Sequence, residues 1–236
     1  MPRENLALPV VAGRQARALP LYKSGVGQKF LVGITGLFLC SFLIVHLSGN
    51  LLLFKKDGGK AFDAYSVFMS TNTLIRAMEI VLFTGFLVHI VLAVSLWAAN
   101  RMARPQRYAM SRPSENSALE SRTTFITGSV IFIFLVVHLR TFFVPVRFAS
   151  GPEPSMYELV AAAFTNPIYD GFYLVALALL AYHLRHGFQS AFQTFGLRPA
   201  LIRWLNPVAV FFWLLIPIGF ASMPIYFFWA HWKGVK

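Results

Sequence analysis

Five stretches of this chain, roughly 28–54, 74–99, 124–146, 168–192 and 206–230, are apolar over the length that a helix needs to cross a bilayer. Spanning the hydrocarbon core takes about 20 mostly apolar residues as a helix, and all five runs qualify. In lipid every backbone N–H and C=O must be paired within the segment itself, which leaves the helix as the structure such a run can adopt. The expected fold is therefore all-α, one integral membrane bundle of five transmembrane helices forming a single domain over residues 1–236. Composition agrees: 57% of residues are hydrophobic and 13% charged, beyond the apolar content of soluble domains.

The net charge of +12 raises nucleic acid as a partner, but the distribution of charge argues against it. Membrane proteins retain Lys and Arg in their cytoplasmic segments. With the N-terminus placed inside, the inner segments hold Arg3, Arg14, Arg17, Lys23, Lys29, Arg101, Arg104, Arg107, Arg112, Arg122, Arg185, Arg198 and Arg203, which is 13 of the 21 basic residues. The outer segments hold the other eight together with six of the nine acids. This asymmetry predicts the N-terminus in the cytoplasm and the C-terminus outside. The first twenty residues lack an apolar core followed by a small-residue cleavage site, so the first span itself is expected to direct insertion. Cys40 is the one cysteine, which excludes an intrachain disulfide and a cysteine-based metal site.

Between the first two spans, Asp57-Gly58-Gly59 is a turn signal, followed by a mildly amphipathic stretch over 61–69 that suits the membrane interface. The connection 100–122 is polar and arginine-rich, a docking surface on the cytoplasmic face. Pro145 is expected to close the third span, and 156–164 has the spacing of a short helix at the outer surface. Pro217 and Pro224 predict a bend in the fifth span. Trp97 and Trp204 fall near the inner boundary, and Trp229, His231 and Trp232 near the outer one, as in an aromatic belt.

His46, His89, His138 and His183 each stand alone in a different span. An imidazole in hydrocarbon must find a hydrogen bond, a charge or a metal, because an unsatisfied polar group there costs several kcal/mol. Taken singly, each could be structural or part of a proton relay. Together they fall at two depths: His46 and His138 past the middle of outward-running helices, His89 and His183 past the middle of inward-running ones. At 1.5 Å rise per residue the two levels are expected roughly 10 Å apart. With no cysteine or carboxylate beside them to complete four-coordinate zinc, two bis-imidazole pairs fit two stacked iron porphyrins better. Gly33, Gly36, Gly49, Gly85, Gly128 and Gly187 on the same helices would admit a flat macrocycle or, equally, close helix packing. Without a Cys-x-x-Cys-His motif the haem would be non-covalent, of b type. Lys29, Arg185 and His186 at the inner level, and Arg140 at the outer, are candidates to meet propionates, or else to snorkel to the interface.

Three segments carry a family resemblance. Gly27-Gln28-Lys29-Phe30 through Thr35-Gly36 to His46-Leu47-Ser48-Gly49-Asn50-Leu51 is the first, Val137-His138-Leu139-Arg140-Thr141-Phe142-Phe143 the second, and His183-Leu184-Arg185-His186-Gly187-Phe188-Gln189-Ser190-Ala191-Phe192-Gln193-Thr194-Phe195-Gly196 the third. Across nearly all of 24–230 the chain resembles the di-haem cytochrome b membrane subunit of succinate dehydrogenases and fumarate reductases, the single-polypeptide, five-span kind. The resemblance selects His183 over His186 as iron ligand. It implies a multi-pass anchor in the cytoplasmic (inner) membrane, bound to an iron–sulfur subunit and through it to a flavoprotein that interconverts succinate and fumarate. Two haems, His46/His138 outer and His89/His183 inner, would join the clusters to membrane quinone, with menaquinone preferred.

No nucleophile–base constellation, phosphate loop or second metal motif is present, so catalytic residues are not assigned and dicarboxylate chemistry would belong to the partners. Apart from Glu79, no carboxylate is expected inside a span; Asp63 and Glu79 are candidates for quinone protonation. Pairing of complexes in the membrane stays open. The alternatives are a haem subunit of a formate dehydrogenase or hydrogenase, against which the His-Leu-x-Gly-Asn and His-x-x-His-Gly segments argue, and a haem-free proton-coupled transporter.

Overall fold

The computed structural model describes residue 20 and residues 24–103, 119–148 and 154–234, and among these it contains helices and no strand. Seven helices follow in order. α1 (Gly25–Asn50) tightens into a 3₁₀ turn at Leu51–Phe54, α2 is Lys60–Thr71, and α3 is Thr73–Met102. α4 covers Leu119–His138, widens into a π turn at Leu139–Phe143, and resumes at Val144–Arg147. α5 is Met156–Ala163 and α6 is Pro167–Thr194. α7 runs over Pro199–Trp232, with a second π turn at Phe211–Leu215. Five of them, α1, α3, α4, α6 and α7, are long and apolar enough to cross a membrane. The all-α, five-span expectation holds, with the fifth span starting at Pro199 rather than near 206.

Local chemistry sets the ends. Ser24 caps α1 by accepting from Gly27 N at 3.0 Å, and Asn72 and Asn166 cap α3 and α6 in the same way. At the 57–59 turn, Gly58 and Gly59 take φ of 68° and 86°, a conformation open to glycine. The Asp57 carboxylate then accepts from Gly59 N and Ala61 N, both at 3.1 Å, starting α2.

Both π turns end two residues before a proline, Pro145 and Pro217. Proline lacks the N–H of the regular ladder and its ring crowds the carbonyl four residues earlier; a wider turn relieves that crowding without ending the helix. Val144 N accordingly bonds Leu139 O, and Ile216 N bonds Phe211 O. Pro145 therefore does not close the third span, which continues to Arg147.

α1 packs closely on α3, α4 on α6, α6 on α7, and α1 on α6. The molecule is thus two antiparallel hairpins, α1/α3 and α4/α6, joined along α1 and α6 and covered on one side by α7. One apolar cluster, including Leu53, Phe62, Phe142, Phe164, Tyr173 and Phe227, fills the end capped by α2 and α5. A second, with Cys40, Leu184, Phe188, Phe192 and Ala209, lies towards the far end. α2 and α5 are clipped together by Asp63, whose carboxylate accepts from Ser155 Oγ at 2.7 Å and Tyr157 N at 2.8 Å. Glu79 lies 3.8 Å from Arg147 and 4.0 Å from Arg76, tying α3 to the end of α4.

Arg3, Arg14, Arg17, Lys23, Arg104, Arg107, Arg112 and Lys236 lie outside the described residues, as does most of the 100–122 connection. Trp97, Trp204, Trp229 and Trp232 are all exposed, as an interfacial belt requires, and Trp97 also stacks at 4.0 Å on Phe125 of α4.

Candidate haem-binding site

The four histidines fall into two pairs at two depths of the bundle. His46 of α1 faces His138 of α4 with ring centroids 5.7 Å apart. His89 of α3 and His183 of α6 lie within electrostatic reach of each other. Each pair therefore joins one hairpin to the other. Among the described residues neither α1 with α4 nor α3 with α6 is a closely packed pair of helices, so the imidazoles span the looser seams of the bundle. α3 and α4 are held across the molecule by aromatic side chains at two depths, Phe83 against Phe143 at 5.5 Å and Trp97 on Phe125.

The second ring nitrogen of each histidine shows what the first is free to do. Thr35 Oγ1 donates its one proton to the backbone of the preceding turn, 2.8 Å from Leu31 O and 3.1 Å from Val32 O. Its oxygen is left as an acceptor, so His89 Nδ1, 3.1 Å away, is the donor. The same device recurs in the other hairpin: Thr127 Oγ1 donates to Thr124 O at 3.0 Å and lies 3.5 Å from His183 Nδ1. Thr127 is buried, at 3% exposure, where an unpaired hydroxyl would be costly. With the proton on Nδ1, Nε2 keeps its lone pair, the form that a metal-ligating histidine takes when a neighbour fixes its tautomer.

His138 Nδ1 is 2.6 Å from Tyr173 Oη, the shortest of these contacts, and the His138 ring is further walled by Phe134 and Phe142. His46 differs. The neighbour of its Nδ1 is the Asn50 amide nitrogen at 3.4 Å, which also donates to His46 O at 2.8 Å, while Phe42 and Phe220 flank the ring.

The glycines divide by role. A Cβ on Gly36 would come 3.3 Å from His89 Cε1, so this glycine makes room for the imidazole, whereas one on Gly128 would reach His183 Cε1 at 3.6 Å, an ordinary contact. Gly33, Gly49 and Gly85 instead receive Phe195, Tyr65 and Phe38, and a Cβ on Gly187 would meet open space. The threonine, glycine and histidine positions repeat between hairpins: Thr35-Gly36 precedes His46 by the same interval at which Thr127-Gly128 precedes His138. Thr35 lies beside His89, so eleven residues of α1 separate the two levels, about 16 Å along the axis and wider than the roughly 10 Å expected from the sequence alone. Tyr173 and His183 on α6 repeat the measure, ten residues or about 15 Å.

These residues fit a metal held between two rings. Metal–nitrogen bonds of about 2 Å would place two clamping imidazole centroids roughly 6 Å apart, close to the His46/His138 separation. Among the described residues no group of three or more His, Cys, Asp or Glu is gathered to hold a metal by side chains alone. A two-imidazole clamp would need an ion whose other positions are filled by a planar ligand.

Of the remaining candidates, Lys29, Arg140 and Arg185 are exposed, with Arg185 over the Trp213 ring of α7 at 5.6 Å. His186 is half-buried and near His183. Asp170 overturns the expectation that Glu79 is the one carboxylate in a span: it is 6% exposed in the first turn of α6, and its Oδ1 has no hydrogen-bond partner. Thr35, Thr127, Tyr173 and Asn50 were not singled out as supports, although the equal Thr-to-His spacing is readable in the sequence. Tyr173 belongs to no such pattern and is found only by its contact. Comparisons with protein-family models, curated proteins and solved structures returned no match.

Proposed function

We propose that the chain is the membrane-anchor cytochrome b of a succinate dehydrogenase or fumarate reductase complex, with His46/His138 and His89/His183 as axial ligands of two b haems. The observation that carries the haem reading is the pairing of imidazoles across helices that are not closely packed, three of the four rings having a hydroxyl at Nδ1. The succinate–fumarate assignment rests on the resemblance of the three segments quoted above. When bound, the haems would supply one-electron transfer between an iron–sulfur partner on the cytoplasmic face and a quinone, preferably menaquinone. The chain's own residues hold the two sites at separate depths, fix imidazole tautomers through Thr35, Thr127 and Tyr173, and exclude water with the two apolar clusters. Lys29, Arg185 and His186 would meet the propionates of the inner haem and Arg140 those of the outer.

The test is a dithionite-reduced difference spectrum with haem quantification on the purified complex. Two non-covalent haems per chain are expected, with His46→Ala and His138→Ala losing one component and His89→Ala and His183→Ala the other. A colourless complex would overturn the haem reading. Co-purification with a succinate-oxidising flavoprotein is expected; a molybdenum or nickel partner would move the chain to another respiratory complex.

A further inference from the structure

The two clamps are supported unequally. At the His89/His183 level both rings find a threonine oxygen, at 3.1 and 3.5 Å. At the His46/His138 level the contacts are 2.6 Å to a phenol and 3.4 Å to an amide nitrogen, which offers no acceptor. A single short hydrogen bond between His138 and Tyr173 therefore carries all the support at that level.

Tyr173 is itself immobilised. It is 6% exposed and packs edge-on against Phe134, Phe142 and Phe164, with ring centroids 4.7, 6.4 and 5.0 Å away. Such packing leaves the ring little freedom to turn its oxygen away from His138. The corner it occupies also holds polar groups: Tyr169 lies 5.0 Å from it ring to ring with its hydroxyl buried, and the carboxylate oxygen Oδ1 of Asp170, one turn earlier on α6, has no hydrogen-bond partner.

We infer that Tyr173 is a positioning and tuning residue for the haem held by His46 and His138, which sets that haem's reduction potential apart from its neighbour's. This rests on the haem reading above. If His138 binds iron through Nε2, its Nδ1 keeps the proton and Tyr173 Oη is the acceptor. A short hydrogen bond accepted from Nδ1–H makes the imidazole a stronger donor to the metal, which stabilises the oxidised, more positive iron and lowers its potential. The longer threonine contacts act in the same sense and more weakly on the other pair. The two haems would thus be separately adjustable, one through Tyr173 and the other through Thr35 and Thr127.

The experiment is a redox titration of the purified complex carrying Tyr173→Phe, beside Thr127→Val and the unaltered chain. Its readouts are haem content and the two midpoint potentials. Tyr173→Phe is expected to keep two haems and to shift upward only the component that disappears in His138→Ala. Thr127→Val is expected to shift only the other. Two unchanged potentials in Tyr173→Phe, or two that move together, overturn the inference while leaving two haems and the functional reading intact. An unaltered complex without haem overturns both. Should Tyr173→Phe lose one haem, Tyr173→Gln provides a carbonyl acceptor from the same position: recovery of that haem supports the inference, and continued loss overturns it.

Discussion

Gly49 and Gly128 look interchangeable on paper, each a glycine in a span near a histidine, yet they answer to different neighbours. A Cβ on Gly49 would intrude on the Tyr65 ring of α2, whereas one on Gly128 would make ordinary contact with His183 at 3.6 Å. Gly49→Ala is therefore expected to destabilise the protein by about 1–3 kcal/mol, the usual cost of overpacking, and Gly128→Ala to be tolerated. Thermal unfolding of both variants in detergent checks this; equal midpoints would show that Tyr65 simply moves aside. The sequence marks both positions as glycine but not what approaches them, because the approaching side chain comes from a helix whose register is set by the fold. Thr35 and Thr127 are more legible, since their common interval to His46 and His138 is written in the chain; their acceptor role emerges only when α1 lies on α3 and α4 on α6.

At the level of elements, the short helices α2 and α5 are latched by one carboxylate. Asp63 accepts from Ser155 Oγ and Tyr157 N, so its oxygens serve the latch, a structural duty that stands beside its candidacy for quinone protonation. Asp63→Ala leaves a hydroxyl and an N–H without their acceptor, a loss of about 1–3 kcal/mol. A lower unfolding temperature and faster proteolysis near α5 are expected; unchanged stability would remove the latch. Asp63→Asn keeps one acceptor oxygen and should fall between. Glu79, between Arg76 and Arg147, has a comparable duty at the ends of α3 and α4. The prolines were legible as perturbations of the third and fifth spans. Their outcome, a π turn rather than a stop, follows from neighbouring helices that hold the segment helical on both sides of the proline.

For the molecule as a whole, the charge asymmetry argues for an orientation that the helix packing leaves open, since an antiparallel bundle reads the same from either side. With the N-terminus in the cytoplasm, a membrane-impermeant maleimide applied to intact cells should label Lys56→Cys but not Arg107→Cys, both in a Cys40→Ser background. The reverse pattern would invert the topology and place the His89/His183 pair on the outside. Cys40 itself is 5% exposed and is expected to react poorly without denaturant.

The five spans and the presence of one imidazole in each of four were determined by the sequence alone, because hydrocarbon admits only internally bonded backbone and penalises every unsatisfied ring. Which imidazoles face each other across the looser seams, how far apart the levels lie, and which hydroxyls stand at their Nδ1 atoms were decided by the tertiary structure. Those properties depend on which helices pack closely and which are held apart. That choice is made by side chains from distant parts of the chain, such as Trp97 on Phe125 and Phe195 over Gly33, meeting only in three dimensions.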